Sequence, residues 1–176
     1  MPELIGQILG IVGLIVTVLS YQFKKMNTVM MLQIFSCLCF TVSFILIGSI
    51  ASAIMNGISI VRSIIFSIEK TKTKFLSYIS MQLMYMMGVI IAYFYVTPKW
   101  MIIFVALASF ISTYAIWTNN PAKFRIIQVL LVSPLWITNN IFVFSIGGIL
   151  TESFNIVSIA VYFIRQKMIK KDDKLI

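Results

Sequence analysis

Glu152 is the residue with the most chemistry to offer, because it lies in a long apolar stretch with no basic neighbour. A carboxylate placed in hydrocarbon costs several kcal/mol unless it is hydrogen-bonded, solvated or protonated. Three uses meet that requirement: a structural hydrogen-bond hub, a ligand for a solute, or a group that couples proton movement. Asn56 and Asn155 occupy similar apolar settings 99 positions apart. An amide both donates and accepts, which suits a polar solute. Each is followed three residues later by a serine, Ser59 and Ser158, on the same helical face. Trp136 offers a flat face for stacking, and Asn140 lies one turn beyond it. The expected substrate-binding set is therefore Asn56, Asn155, Trp136, Asn140, Glu152, Ser59 and Ser158, with Glu152 the candidate for coupling.

Bland roles compete for the same residues. Serine stripes in membrane helices often serve close packing, Asn139 reads as interhelical glue, and a tryptophan can belong to an interfacial belt. Arg62, near the end of its apolar stretch, is expected to snorkel to the interface, too far from Glu152 for an ion bridge. Met81, Met84, Met86 and Met87 read as packing, not as metal ligands. No metal or cofactor is expected. Catalysis is not expected either: the chain has no histidine, no HExxH, no paired intramembrane acids and no recurring Ser-Lys arrangement.

The elements that hold these residues follow from composition. Of 176 residues, 60% are apolar and 11% are charged, against about 25% charged in a soluble domain. Punctuation divides the chain into seven apolar stretches, roughly 4–23, 29–47, 50–68, 75–95, 100–117, 126–144 and 149–164. Each has about the length a helix needs to cross a bilayer. The polar residues recur at helical spacing within them. Ser52, Asn56, Ser59 and Ser63 form one stripe, Glu152, Asn155, Ser158 and Tyr162 another, and Ser133, Trp136, Asn139 and Asn140 a third. Cys37 and Cys39 point about 200° apart on one helix and are expected to pack without bridging. Glu3 without a preceding Lys or Arg suggests a retained first span instead of a signal peptide.

The net charge of +9 fits topology better than nucleic-acid binding, because the basic residues cluster in short loops. With the N-terminus outside, all of the 14 basic residues except Lys99 fall on the cytoplasmic side. A shift of 99 residues superposes the first three stretches on the last three. It aligns turns expected at Gly48 and Gly147-Gly148, Asn56 with Asn155, and Lys24 with Lys123. The fourth stretch inverts the chain between the halves. The expected fold is all-α, seven transmembrane helices in a 3+1+3 arrangement of parallel repeats, N-out and C-in. Residues 1–68 form the first repeat, 69–99 the linker helix with its loops, and 100–176 the second repeat and a basic tail.

This plan, with an asparagine in spans three and seven, resembles the PQ-loop superfamily that includes the SWEET sugar facilitators. Tyr21-Gln22 and Asn120-Pro121 stand where that superfamily carries Pro-Gln. A closer resemblance is to the bacterial inner-membrane YgjV family. It is carried by Ala51-Ser52-Ala53-Ile54-Met55-Asn56, by Trp136 with Asn140, and by Ser145-Ile146-Gly147-Gly148 followed by Glu152. The resemblance implies a small multi-pass protein of the bacterial plasma membrane with a SWEET-like fold. The expected function is a carrier or facilitator for a small polar solute, working by alternating access. The alternative is a non-transporting membrane subunit, assembly factor or lipid-interacting protein. Expected partners are the solute and the lipid bilayer, not nucleic acid, with homo-oligomerisation left open. Single cysteines at Lys99 and Ser49 should react with an impermeant reagent applied outside, and cysteines at Thr71 and Ala122 should not. External labelling at Thr71 contradicts the orientation.

Overall fold

The computed structural model describes residues 2–68, 74–96 and 98–172, with side chains as far as residue 165. Seven helices account for nearly all of them. They are α1 (Pro2–Ser20), α2 (Met26–Leu46), α3 (Ile50–Ile68), α4 (Lys74–Tyr93), α5 (Ile102–Trp117, entered through a 3-10 turn), α6 (Pro121–Phe142) and α7 (Ile146–Asp172). All seven are long and apolar enough to cross a membrane, and no strand occurs among the described residues.

Many large apolar residues face outward, whereas many of the small or polar ones face inward, most clearly in α1. In α1 the exposed residues include Leu4, Ile8, Ile11, Ile15 and Leu19, while Gly6, Gly10, Gly13, Thr17 and Ser20 are buried. Lipid is as apolar as leucine, so burying leucine gains little, whereas small residues allow backbones to approach and hydroxyls to find partners. Gly13 lies against the Phe40 ring, and Gly10 faces both Ser43 on α2 and Gly147 on α7. The Thr17 and Ser36 hydroxyls meet each other and Gly13 O across α1 and α2, each 2.9 Å from that carbonyl, so one donates to Gly13 O and the other to its fellow hydroxyl or to the same carbonyl.

The helices pack in sequence order, α1 on α2 and α2 on α3, then α5 on α6 and α6 on α7. Contacts of α3 with α5 and of α1 with α7 close a six-membered ring. The remaining helix, α4, packs against α3 and α5.

The turn between α6 and α7 differs from the sequence expectation. Gly147 and Gly148 lie inside α7, and the chain reverses at Phe144, which adopts φ 52°. The α2–α3 turn reverses at Gly48, with φ 81°. Both turns end their helix in the same way: Ser49 N donates to Phe44 O at 2.8 Å, and Ser145 N donates to Asn140 O at 2.9 Å, the six-to-one bond of a Schellman cap. The two turns thus correspond at a shift of 96, one helical turn short of the 99 expected from the glycines. The glycine pair serves contact instead: a Cβ on Gly147 would stand 3.0 Å from the Gly10 backbone, and one on Gly148 would stand 2.5 Å from the Asn140 amide.

Two other boundaries move. Asn120 caps α6 by accepting from Ala122 N and Lys123 N, with Pro121 in the first turn, so this helix starts before 126 and includes Lys123 and Arg125. Between its caps α6 is one residue longer than α2, and a π-helical turn at Gln128–Val132 absorbs the extra residue. Helix α7 continues past 164 to Asp172.

An L-residue in the left-handed region costs about 1–2 kcal/mol. Phe144 is 82% exposed, and a Cβ on Gly48 would meet nothing within 4 Å, so both positions isolate that backbone cost. Phe144→Gly should raise unfolding stability by about 1 kcal/mol and Gly48→Ala should lower it by about 1–2 kcal/mol. Thermal unfolding in detergent checks both, and a neutral Gly48→Ala would contradict the turn geometry.

Candidate functional site

The inward faces of the ring surround a central cavity of about 70 Å³, the liquid volume of roughly two waters. All six ring helices line it and α4 contributes no residue. Of the seven residues expected at a site, Asn56, Ser59, Trp136, Asn140, Glu152 and Asn155 line this cavity. Ser158 does not: its hydroxyl accepts a 2.6 Å hydrogen bond from Gln22 Nε2, joining α7 to the loop after α1. Asn139 points elsewhere too, its Nδ2 donating to Ser52 Oγ at 3.0 Å.

Helix α6 presents Gln128, Val132, Trp136 and Asn140 to the cavity at four-residue intervals. The Trp136 ring stacks on Phe44 of α2 at 6.3 Å between centroids, and Phe44 stacks on Phe40 at 6.1 Å. One wall is therefore aromatic and shared by both halves of the chain.

Glu152 is held by α6 and its own helix. Ser133 Oγ donates to Glu152 Oε2 at 2.6 Å, and Asn155 Nδ2 donates to the same oxygen at 3.1 Å. Asn155 Oδ1 and Asn140 Oδ1 are buried with no hydrogen-bond partner. In the register of the matching turns, the position equivalent to Glu152 is Asn56, so Asn56 and Asn155 are not at equal depth. Asn155 lies one turn further along its helix from the α6–α7 turn than Asn56 lies from the α2–α3 turn, about 4.5 Å.

Arg62 overturns its expected role. It does not snorkel to the interface: it is 3% exposed and lines the cavity. Its Nη1 donates to Ser112 Oγ at 3.2 Å and to Thr113 Oγ1 at 3.4 Å, and the guanidinium lies 5.9 Å from the centre of the Tyr85 ring. Tyr85 is itself fixed by a 2.7 Å hydrogen bond with Ser59 Oγ. All these partners are neutral, and Arg62 Nε has none. The stripe of serines and threonine on α5 supplies its seat, a signal that the sequence did not distinguish from packing.

Arg125 leaves the loop count as well. It is 1% exposed, donates from Nε to Tyr21 O at 3.0 Å and from Nη2 to Phe23 O, and stands 3.9 Å over the Tyr162 ring. It ties α6 to the end of α1 and to α7. At the opposite end of the ring, Gln7 Nε2 donates to Phe144 O, and Gly147 N donates to Gln7 Oε1, both at 3.3 Å. Among the described residues there is no group of three or more His, Cys, Asp or Glu side chains placed to hold a metal.

Ser133→Ala removes a hydrogen bond to a carboxylate and should cost about 1.5–3 kcal/mol, whereas in a Glu152→Gln background the same change should cost about 0.5–1.5 kcal/mol. A double-mutant cycle by thermal unfolding checks this, and equal costs in the two backgrounds would contradict the pairing. Residues 4–170 match the family Imp-YgjV, described as bacterial inner membrane protein. No curated protein and no solved structure matches the chain.

Proposed function

The chain belongs to this family of bacterial inner membrane proteins, and from that premise we propose that it is a carrier, not an enzyme, which moves a small polar solute by alternating access. One observation carries the reading: polar side chains from six helices converge on a central cavity while the outer surface is clad in large apolar residues. A subunit that bound partner helices through its polar stripes would turn them outward.

In this reading the fold is SWEET-like within the PQ-loop superfamily, with parallel three-helix repeats on either side of α4. The order of packing supports it, since α1, α2 and α3 are related to one another as α5, α6 and α7 are, and the contact of α1 with α7 mirrors that of α5 with α3. The identical caps at the two reversing turns support it further. N-out and C-in is the orientation favoured by the charges. Burial of Arg62 and Arg125 removes both from the topological count but leaves the loop lysines as the dominant bias. Asn56, Trp136, Asn140, Glu152 and Asn155 are the proposed solute ligands, Ser59 acts through Tyr85, and Glu152 is the residue for any proton coupling.

Rocking of one three-helix unit against the other must break contacts at alternate ends of the ring. Arg125 against the α1 carbonyls and Gln7 against the α6–α7 turn occupy those two ends.

Purified protein in proteoliposomes should take up at least one labelled solute from a panel of sugars, amino acids, nucleosides and vitamins. That solute at 100 Kd should stabilise the protein by about 2.7 kcal/mol. Asn56→Ala and Trp136→Ala should lower uptake at least about tenfold while the protein remains folded. Absence of uptake across the panel would contradict carrier function.

A further inference from the structure

Resting on the carrier reading, we infer that the solute is a small zwitterion, a molecule with one ammonium and one carboxylate on a short frame, such as an amino acid with a small side chain. The cavity is lined by a carboxylate and a guanidinium, Glu152 and Arg62, and among the described residues neither has a protein counter-charge: the partners of Glu152 are Ser133 and Asn155, and those of Arg62 are Ser112, Thr113 and the Tyr85 ring. Opposite charges held apart in a low-dielectric site favour a ligand that brings the complement of both.

The unused hydrogen-bonding atoms divide in the same sense. Asn155 Oδ1 and Asn140 Oδ1, both on the Glu152 side, are buried acceptors with no partner, and Arg62 Nε is a buried donor with no partner. A carboxylate suits the donors of an ammonium, and a guanidinium suits a carboxylate. Counting from the first residue of each helix, Glu152 lies about 9 Å along α7 and Ser112, where Arg62 is seated, about 15 Å along α5. Both groups line the one cavity from different helices, Glu152 from α7 and Arg62 from α3. A singly charged solute would satisfy one end and leave the other unpaired, and a neutral sugar would leave both.

The test uses the full chain in lipid nanodiscs with glycine, L-alanine and β-alanine as probes. Propionate serves as the analogue without an ammonium, L-alaninamide as the analogue without a carboxylate, and glycerol and glucose as neutral solutes. At least one zwitterion should raise the unfolding temperature and bind at least about tenfold more tightly than either analogue, the loss expected for a hydrogen bond to a charged group. Arg62→Gln should abolish the preference for L-alanine over L-alaninamide, and Glu152→Gln the preference over propionate. The analogue series on the unaltered chain decides the matter even if either variant fails to fold. Equal binding of zwitterion and analogues, or binding of glycerol or glucose alone, overturns the zwitterion and leaves the carrier reading standing. Failure of every probe here, together with failure of every solute in the proteoliposome panel, overturns both.

Discussion

Hydrocarbon offers no hydrogen bonds, and the arrangement of this chain follows from that constraint. Every polar side chain within a span must find a partner in the protein or in a water-filled space. The helices comply by turning most of their glycines, hydroxyls and amides inward and most of their isoleucines and leucines outward. Close packing is possible where the inward residues are small, as at Gly10 against Gly147. Where they are larger and polar, as at Asn56, Arg62, Asn140 and Glu152, the helices cannot close and a cavity remains. Packing and site are thus two outcomes of one rule applied to side chains of different size.

The site is electrically divided. Helices α6 and α7 carry the carboxylate and two unpartnered amide oxygens, while α3 and α5 carry the guanidinium and its hydroxyl seat. A buried charge with neutral partners is costly to maintain. Water, a proton on Glu152 or a ligand with complementary charges each lowers that cost. The aromatic wall of Phe40, Phe44 and Trp136 joins α2 to α6 on one side of the cavity.

Much of this was legible in the sequence. Seven spans and three polar stripes are forced by the same hydrocarbon constraint that shapes the fold, and six of the seven expected site residues do line one cavity. The failures have physical causes. Gly147-Gly148 looks like a turn, but glycine serves close approach as well as left-handed backbone, and the left-handed position went to Phe144, which carries no sequence signal. That exchange of roles puts the two matching turns 96 residues apart, one helical turn short of the expected 99. Arg62 was misread because its position along a helix does not say which way a long side chain bends, and its seat on Ser112 and Thr113 belongs to a distant span. Contributions from α1, α2 and α5, such as Thr17, Ser36 and Ser109, rest on small hydroxyls that sequence alone cannot tell from ordinary packing.

The native cysteines provide the most direct measurement of the central claim, that water and solute reach the middle of the ring. Cys37 is buried and lines the cavity, whereas Cys39, two residues along α2, does not line it. In a Cys39→Ser protein reconstituted in liposomes, a small membrane-impermeant thiol reagent should modify Cys37 when applied from either side, at a rate slowed by a transported solute. A Cys37 thiol that stays unmodified from both sides, while an introduced loop cysteine reacts fully, would contradict a central aqueous pathway.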